Sequence, residues 1–188
     1  MTVARRLIVN ADDFGRSRSI NAAVLRAHRE GVLTSASLMV NEPARDEAVT
    51  MARENPKLGV GLHLTLLCGR SALPPQSVPG LVNARGEFGE QPVAAGLRYF
   101  FRRGLREPLR REIHRQFELF RETGLPLDHV NGHLHLHLHP TIFKILMDDS
   151  DDRDANETRR SDSAGGGRLP IQLRYNPRAR SSNDCAAQ

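Results

Sequence analysis

Short apolar runs alternate with amphipathic stretches through the first third of this chain, and that rhythm restricts its fold more than any other feature. "RLIVN" (6–10) is rich in aliphatic residues and reads as a buried strand. "SINAAVLRAHREG" (19–31) puts Ile20, Val24 and Ala27 on one helical face, with Ser19 placed to cap its start and Gly31 just past its end. "SASLMVN" (35–41) reads as a second strand, "EPARDEAVTMAREN" (42–55) as a second helix ending before Pro56, and "LGVGLHLTLL" (58–67) as a third strand. Strands that alternate with helices in this way build βαβ units on a parallel sheet.

The rhythm pauses and then resumes. Residues 68–96 are rich in Gly and Pro and read as a long loop or lid over the site. "PLRREIHRQFELFRETG" (108–124) is a helix with Ile113, Phe117 and Phe120 inward and Gly124 ending it. "LPLDHVNGH" (125–133) is the next strand, and a further helix starts at Pro140. From residue 149 the pattern stops. Residues 149–188 hold few large apolar side chains, too few to offset the entropy of ordering them, so they read as a disordered tail behind a domain spanning 1–148. The break falls just after "FKILM", as if the domain were truncated and the tail foreign to it.

No run of the chain approaches the roughly 20 apolar residues of a membrane span. The first 15 residues are too short in apolar content and too acidic for a signal peptide, which points to the cytoplasm. Cys68 and Cys185 lie far apart and read as unlinked thiols of a reducing compartment. The formal net charge is +5, and all basic residues except Lys57 and Lys144 are arginine. The charge is spread out and no recognition motif accompanies it, which argues against nucleic acid as a partner.

Polar residues gather where each strand ends, the side of a parallel α/β sheet on which functional groups collect. Asp12 and Asp13 in "NADDFG" follow the first strand, His63 in "GLHL" stands near the end of the third, and His133 in "NGHLHLH" follows "DHV". Singly, each has an ordinary explanation. "DDFG" could be a turn and helix cap, His63 a hydrogen-bonded core histidine, and the His133–His139 ladder an exposed strand edge. Together, one carboxylate and two histidines from three strands suit a divalent metal with an open coordination position. The second carboxylate is then free to act as a general base.

In order along the chain, "RLIVNADDFGRSRSINAAVLRAHREGVLTSASLMVN", "GVGLHLTL" and "LDHVNGHLHLHLHP" resemble the YdjC-like carbohydrate deacetylases, the ChbG/HpnK family, and are most similar to its hopanoid-biosynthesis branch, HpnK. The resemblance covers about residues 5–148. It implies an incomplete (β/α) barrel related to polysaccharide deacetylases, missing its last strands. It also implies a divalent metal, Mg or Zn, and removal of an acetyl group from an N-acetylated sugar or glycolipid. Carried onto this chain, it makes Asp13, His63 and His133 the metal ligands and Asp12 the catalytic base, with His135 and His137 lining the site as supporting groups. The family's later histidine, on strands beyond position 150, has no counterpart here. An inactive remnant that keeps the ligands is therefore the competing expectation.

One segment lies outside this scheme. "LRYFFRRGLREPLRREIHRQ" (97–116) sets seven arginines around Tyr99, Phe100 and Phe101. It is either a solvated helical face or a surface-lying segment that meets anionic lipid at the membrane periphery.

Overall fold

The computed structural model describes residues 7–148. Four parallel strands, β1 (Asn10–Phe14), β2 (Ser35–Leu38), β3 (Gly59–Leu64) and β4 (Val130–Gly132), pair in the order β1-β2-β3-β4. Helices α1 (Arg18–Glu30), α2 (Arg45–Glu54), α3 (Pro92–Phe101) and α4 (Arg106–Glu122) lie between them, and residues 140–148 form α5. Neighbours in sequence are neighbours in the sheet, the order in which a (β/α) barrel is wound. The α/β expectation holds. The tail expected from residue 149 onward lies outside the described residues.

The central strands are buried almost end to end, as strands covered on both faces must be. Ala36, Leu38, Val60, Leu62 and Leu64 form the sheet's share of the core. Helix α4 meets them with Leu109, Ile113, Phe117 and Phe120, spaced three or four residues apart on one face. Removing one such side chain costs about 2–5 kcal/mol.

Three sequence expectations are corrected. The first strand is not "RLIVN" but "NADDF", and Leu7 and Ile8 are exposed. Pairing sets this: Asn10 is in register with Ser35, where β2 begins, so the polar residues join the ladder and the apolar ones precede it. Ser17, not Ser19, caps α1, its Oγ accepting from Ile20 N at 3.3 Å. The 68–96 segment is no loose lid. It buries Val78, Leu81 and Phe88, folds back through bridges Arg70–Glu87 and Val82–Phe88, and gives its last residues to α3.

The loop is also clamped to α4. Glu112, fully buried, accepts from Ala72 N at 2.7 Å and Leu73 N at 3.0 Å, and from Gln116 Nε2 at 2.8 Å. Gln116 also accepts from Thr65 N and donates to Thr65 O, which ties the end of β3 to the same helix. Burial holds the Glu112 pKa above the ordinary carboxylate value, although these three donors favour the charged form.

Cys68 is buried at the start of the 68–96 segment, and Cys185, the other half of the expectation of unlinked thiols, lies outside the described residues. Among the described residues no helix is long and apolar enough to cross a membrane.

Candidate metal centre

The two aspartates sit in an irregular part of β1. The register with β2 shifts between Ala11 and Phe14, and Asp13 has a φ of 63°, a left-handed conformation that Asp tolerates better than most residues. The break in alternation sends the two adjacent carboxylates to different partners. Asp13 Oδ1 lies 2.9 Å from His133 Nδ1 and 3.2 Å from His63 Nε2, and these two nitrogens are 3.3 Å apart. Asp12 Oδ1 instead accepts from Asn131 Nδ2 at 2.9 Å and Asn10 Nδ2 at 3.0 Å, and lies 3.9 Å from His63 Nδ1.

Asn131, in β4, links the halves of the site. Its Oδ1 is 2.7 Å from His63 Nδ1 while its amide nitrogen donates to Asp12. The carbonyl oxygen can only accept, so His63 carries a proton on Nδ1 and turns Nε2 toward Asp13. A histidine ligand is held in this same way, by a bond from its non-ligating nitrogen.

Burial and charge act in opposite directions here. Burial raises the Asp13 pKa, but hydrogen bonds from His133 and His63 outweigh it and hold the carboxyl well below its usual range. For His63 burial favours the neutral ring, yet Asp13, Asp12 and Asn131 together raise its pKa. A site that draws positive charge onto His63 is one a cation can occupy instead. The chemistry of the donor set fits: one carboxylate oxygen and two imidazoles with mutual spacings close to the edge of a coordination polyhedron, about 3 Å for bonds of about 2.1 Å.

The histidine ladder does not run straight. After β4 the chain turns into a short 3-10 segment, His133–Leu138, in which Leu134 and His135 adopt positive φ of 51° and 58°. His133 faces the aspartates, His135 is exposed, and His137 is buried against Gly132, where a Cβ would stand 3.0 Å from the His137 side chain. Burial, with some repulsion from His135, lowers the His137 pKa to about 4. His139 anchors the next helix, since its Nδ1 accepts from Thr141 N at the start of α5 and its Nε2 donates to Gly96 O at 3.0 Å.

Asp12, Asp13, His63 and His133 thus meet at the carboxyl ends of β1, β3 and β4. Asn131, Asn10 and Arg16 join them and were not singled out in the sequence. The signal for Asn131 was its place between His129 and His133 in the histidine-rich motif. Arg16, in the turn after β1, places Nη1 3.1 Å from His133 Nε2.

Fold and site define a parallel α/β protein with a carboxylate–bis-histidine centre at the carboxyl edge of its sheet. The chain belongs to the YdjC-like protein family, whose model matches residues 6–185. It is 45% identical over 145 residues to a carbohydrate deacetylase of Geobacillus stearothermophilus, covering 76% of this chain and 54% of that protein. A carbohydrate deacetylase of Brevibacillus brevis (strain 47) is 42% identical over 144 residues, with the same shares covered. A solved protein of Enterococcus faecalis V583, assigned to cellobiose-phosphate cleavage, superposes with a TM-score of 0.65 at 28% identity, over 77% of this chain and 55% of that one. The chain spans about half the length of the curated relatives it matches.

Proposed function

We propose that this chain is a metal-dependent hydrolase that removes an acetyl group from an N-acetylated amino sugar. The observation that carries the reading is the meeting of Asp13, His63 and His133 beside Asp12, in a chain 45% identical to a carbohydrate deacetylase. A divalent ion, Mg or Zn, held by Asp13, His63 and His133 would supply Lewis acidity toward the acetamide carbonyl and a water acidified toward neutral pH. Asp12 is the base. Its side chain is 49% exposed, open to substrate and water, while Asn10 and Asn131 fix its orientation. It takes the proton as water adds to the carbonyl carbon. When the C–N bond breaks, acetate leaves and the amine departs with a proton that Asp12 can return. Asn131 couples base and ligand, so the two keep a fixed spacing. His137 supports the turn that carries His133.

The test is acetate release from N-acetylglucosamine oligomers by the purified chain with added Zn2+ or Mg2+. Asp12→Asn is expected to lower kcat by about 10²–10⁴-fold while metal is retained. A chain that keeps its ligands without turning substrate over would instead bind metal and release no acetate.

A lipid-linked sugar, as on a hopanoid, is the finer form of this reading, and it places the chain in the cytoplasm at a membrane surface. The exposed Val93, Leu97, Phe100 and Phe101 along α3 support it. Beside them lies a cavity of about 590 Å³ lined by Phe100, Phe101, Arg103, Arg106 and Lys144, among others, and by none of the metal-centre residues. The 97–116 segment is the end of α3, a short turn and the start of α4 rather than one helix. Basic groups beside exposed aromatics suit an anionic interface. The chain is expected to sediment with vesicles containing phosphatidylglycerol at low salt and not with phosphatidylcholine alone. Equal recovery with both would remove the membrane contact.

A further inference from the structure

Arg16 stands between β1 and α1, and the hydrolysis itself gives it no part. Its Nη1 lies 3.1 Å from His133 Nε2 and 3.8 Å from Asp13 Oδ2, so two of the three ligands share one guanidinium. A guanidinium has only N–H donors and keeps its charge in proteins. The contact with His133 is a hydrogen bond only when Nε2 carries the ring's lone pair. The ring proton then sits on Nδ1, where Asp13 Oδ1 accepts it at 2.9 Å. Both nitrogens of His133 are engaged, and neither offers a free lone pair.

A metal ion can reach His133 through either nitrogen, and both routes meet Arg16. Through Nε2, the ion needs the lone pair that Nη1 already uses. Through Nδ1, the ring proton moves to Nε2 and faces the guanidinium donor to donor, beside a second positive charge. We propose that Arg16 holds His133 and Asp13 in the metal-free protein and is displaced when the ion enters, so that arginine and metal compete for the same ligands. This rests on the metal-centre reading of Asp13, His63 and His133.

Glu42 gives the displaced side chain somewhere to go. It follows β2, is half-buried, and accepts from Arg70 N at 3.0 Å. Burial raises its pKa, and the charge of Arg16 is among the effects that oppose the rise. An arginine that merely braced the centre would have the opposite effect on binding, because its loss would loosen the ligands.

The experiment strips the purified full chain, Arg16→Met and Arg16→Gln with chelator. Each is then titrated with Zn2+ by calorimetry and with Co2+, whose visible absorption reports its ligands. Both variants are expected to bind one ion about tenfold more tightly than the parent, the size of effect that neighbours of a metal's ligands exert. Equal or weaker binding in folded variants overturns the proposal. If neither variant folds, the side-chain N–H signals of Arg16 in the parent decide by NMR: they are expected to shift when Zn2+ is added, and unmoved signals overturn it. A parent chain that binds no ion overturns the metal centre itself, an outcome distinct from equal affinities.

Discussion

Replacing His63 by alanine is expected to weaken binding of a divalent ion by more than about a hundredfold, and His133→Ala to do the same. His63 is fully buried between Asn131 and Asp13, so no neighbouring side chain can take its place without rebuilding the sheet. His135→Ala serves as the counterpart: this side chain is exposed and is not one of the three clustered ligands, and its loss should leave one equivalent of metal in place. Elemental mass spectrometry of the three purified variants gives the answer. Metal that persists in the first two and falls in the third would mean that the histidine-rich turn merely collects ions. The alanine variants are also expected to stay folded without metal, because a small cavity at a strand end removes less packing than one among Leu38, Leu62 and Ile113.

The second large effect concerns stability. Glu112→Ala should lower the free energy of unfolding by about 3 kcal/mol, since it leaves the half-buried backbone N–H groups of Ala72 and Leu73 and the buried Gln116 Nε2 without this acceptor. For a domain of this size that corresponds to a fall in Tm of roughly 10 °C. Glu112→Gln keeps one acceptor oxygen and should lose less. A thermal melt that moves by under about 2 °C for Glu112→Ala would show that the 68–91 loop does not depend on the clamp. Raised by burial, the Glu112 carboxyl binds its proton more tightly in the folded chain than in the unfolded one. Its contribution is therefore fully present below the unfolded pKa and is lost as pH rises through the folded value.

Much of the fold was legible because its signals are local and repeated. Apolar runs at 35–41 and 58–67 and amphipathic faces at 19–31 and 108–124 each announce one element, and their alternation announces the parallel sheet. What failed was decided by distant partners. "RLIVN" looks more like a strand than "NADDF", yet the register with Ser35 makes the polar segment the strand. Of the site, the charged and imidazole residues at strand ends could be read directly, because few ordinary roles gather those types at the ends of three strands. Asn131, Arg16 and Glu112 could not. An asparagine, an arginine and a glutamate are common everywhere, and only the fold shows that one bridges Asp12 to His63, one rests on His133 and one receives two loop amides. The histidine ladder misled for a related reason: its alternation suggests an extended chain, but two left-handed residues coil it and scatter its rings.

The irregular step in β1 has a consequence for how such a centre could change. Asp12 and Asp13 are the same side chain, so nothing in their chemistry decides which one meets the histidines. The backbone decides it, through one shift of register and one left-handed residue. A lineage or a designer could therefore exchange the two positions without altering either amino acid, by moving the step a single residue along the strand. Conversely, both aspartates could survive every substitution screen while an insertion or deletion nearby dismantled the centre. In this strand the instructions for dividing labour are written in spacing, and loss of spacing is the change to look for first.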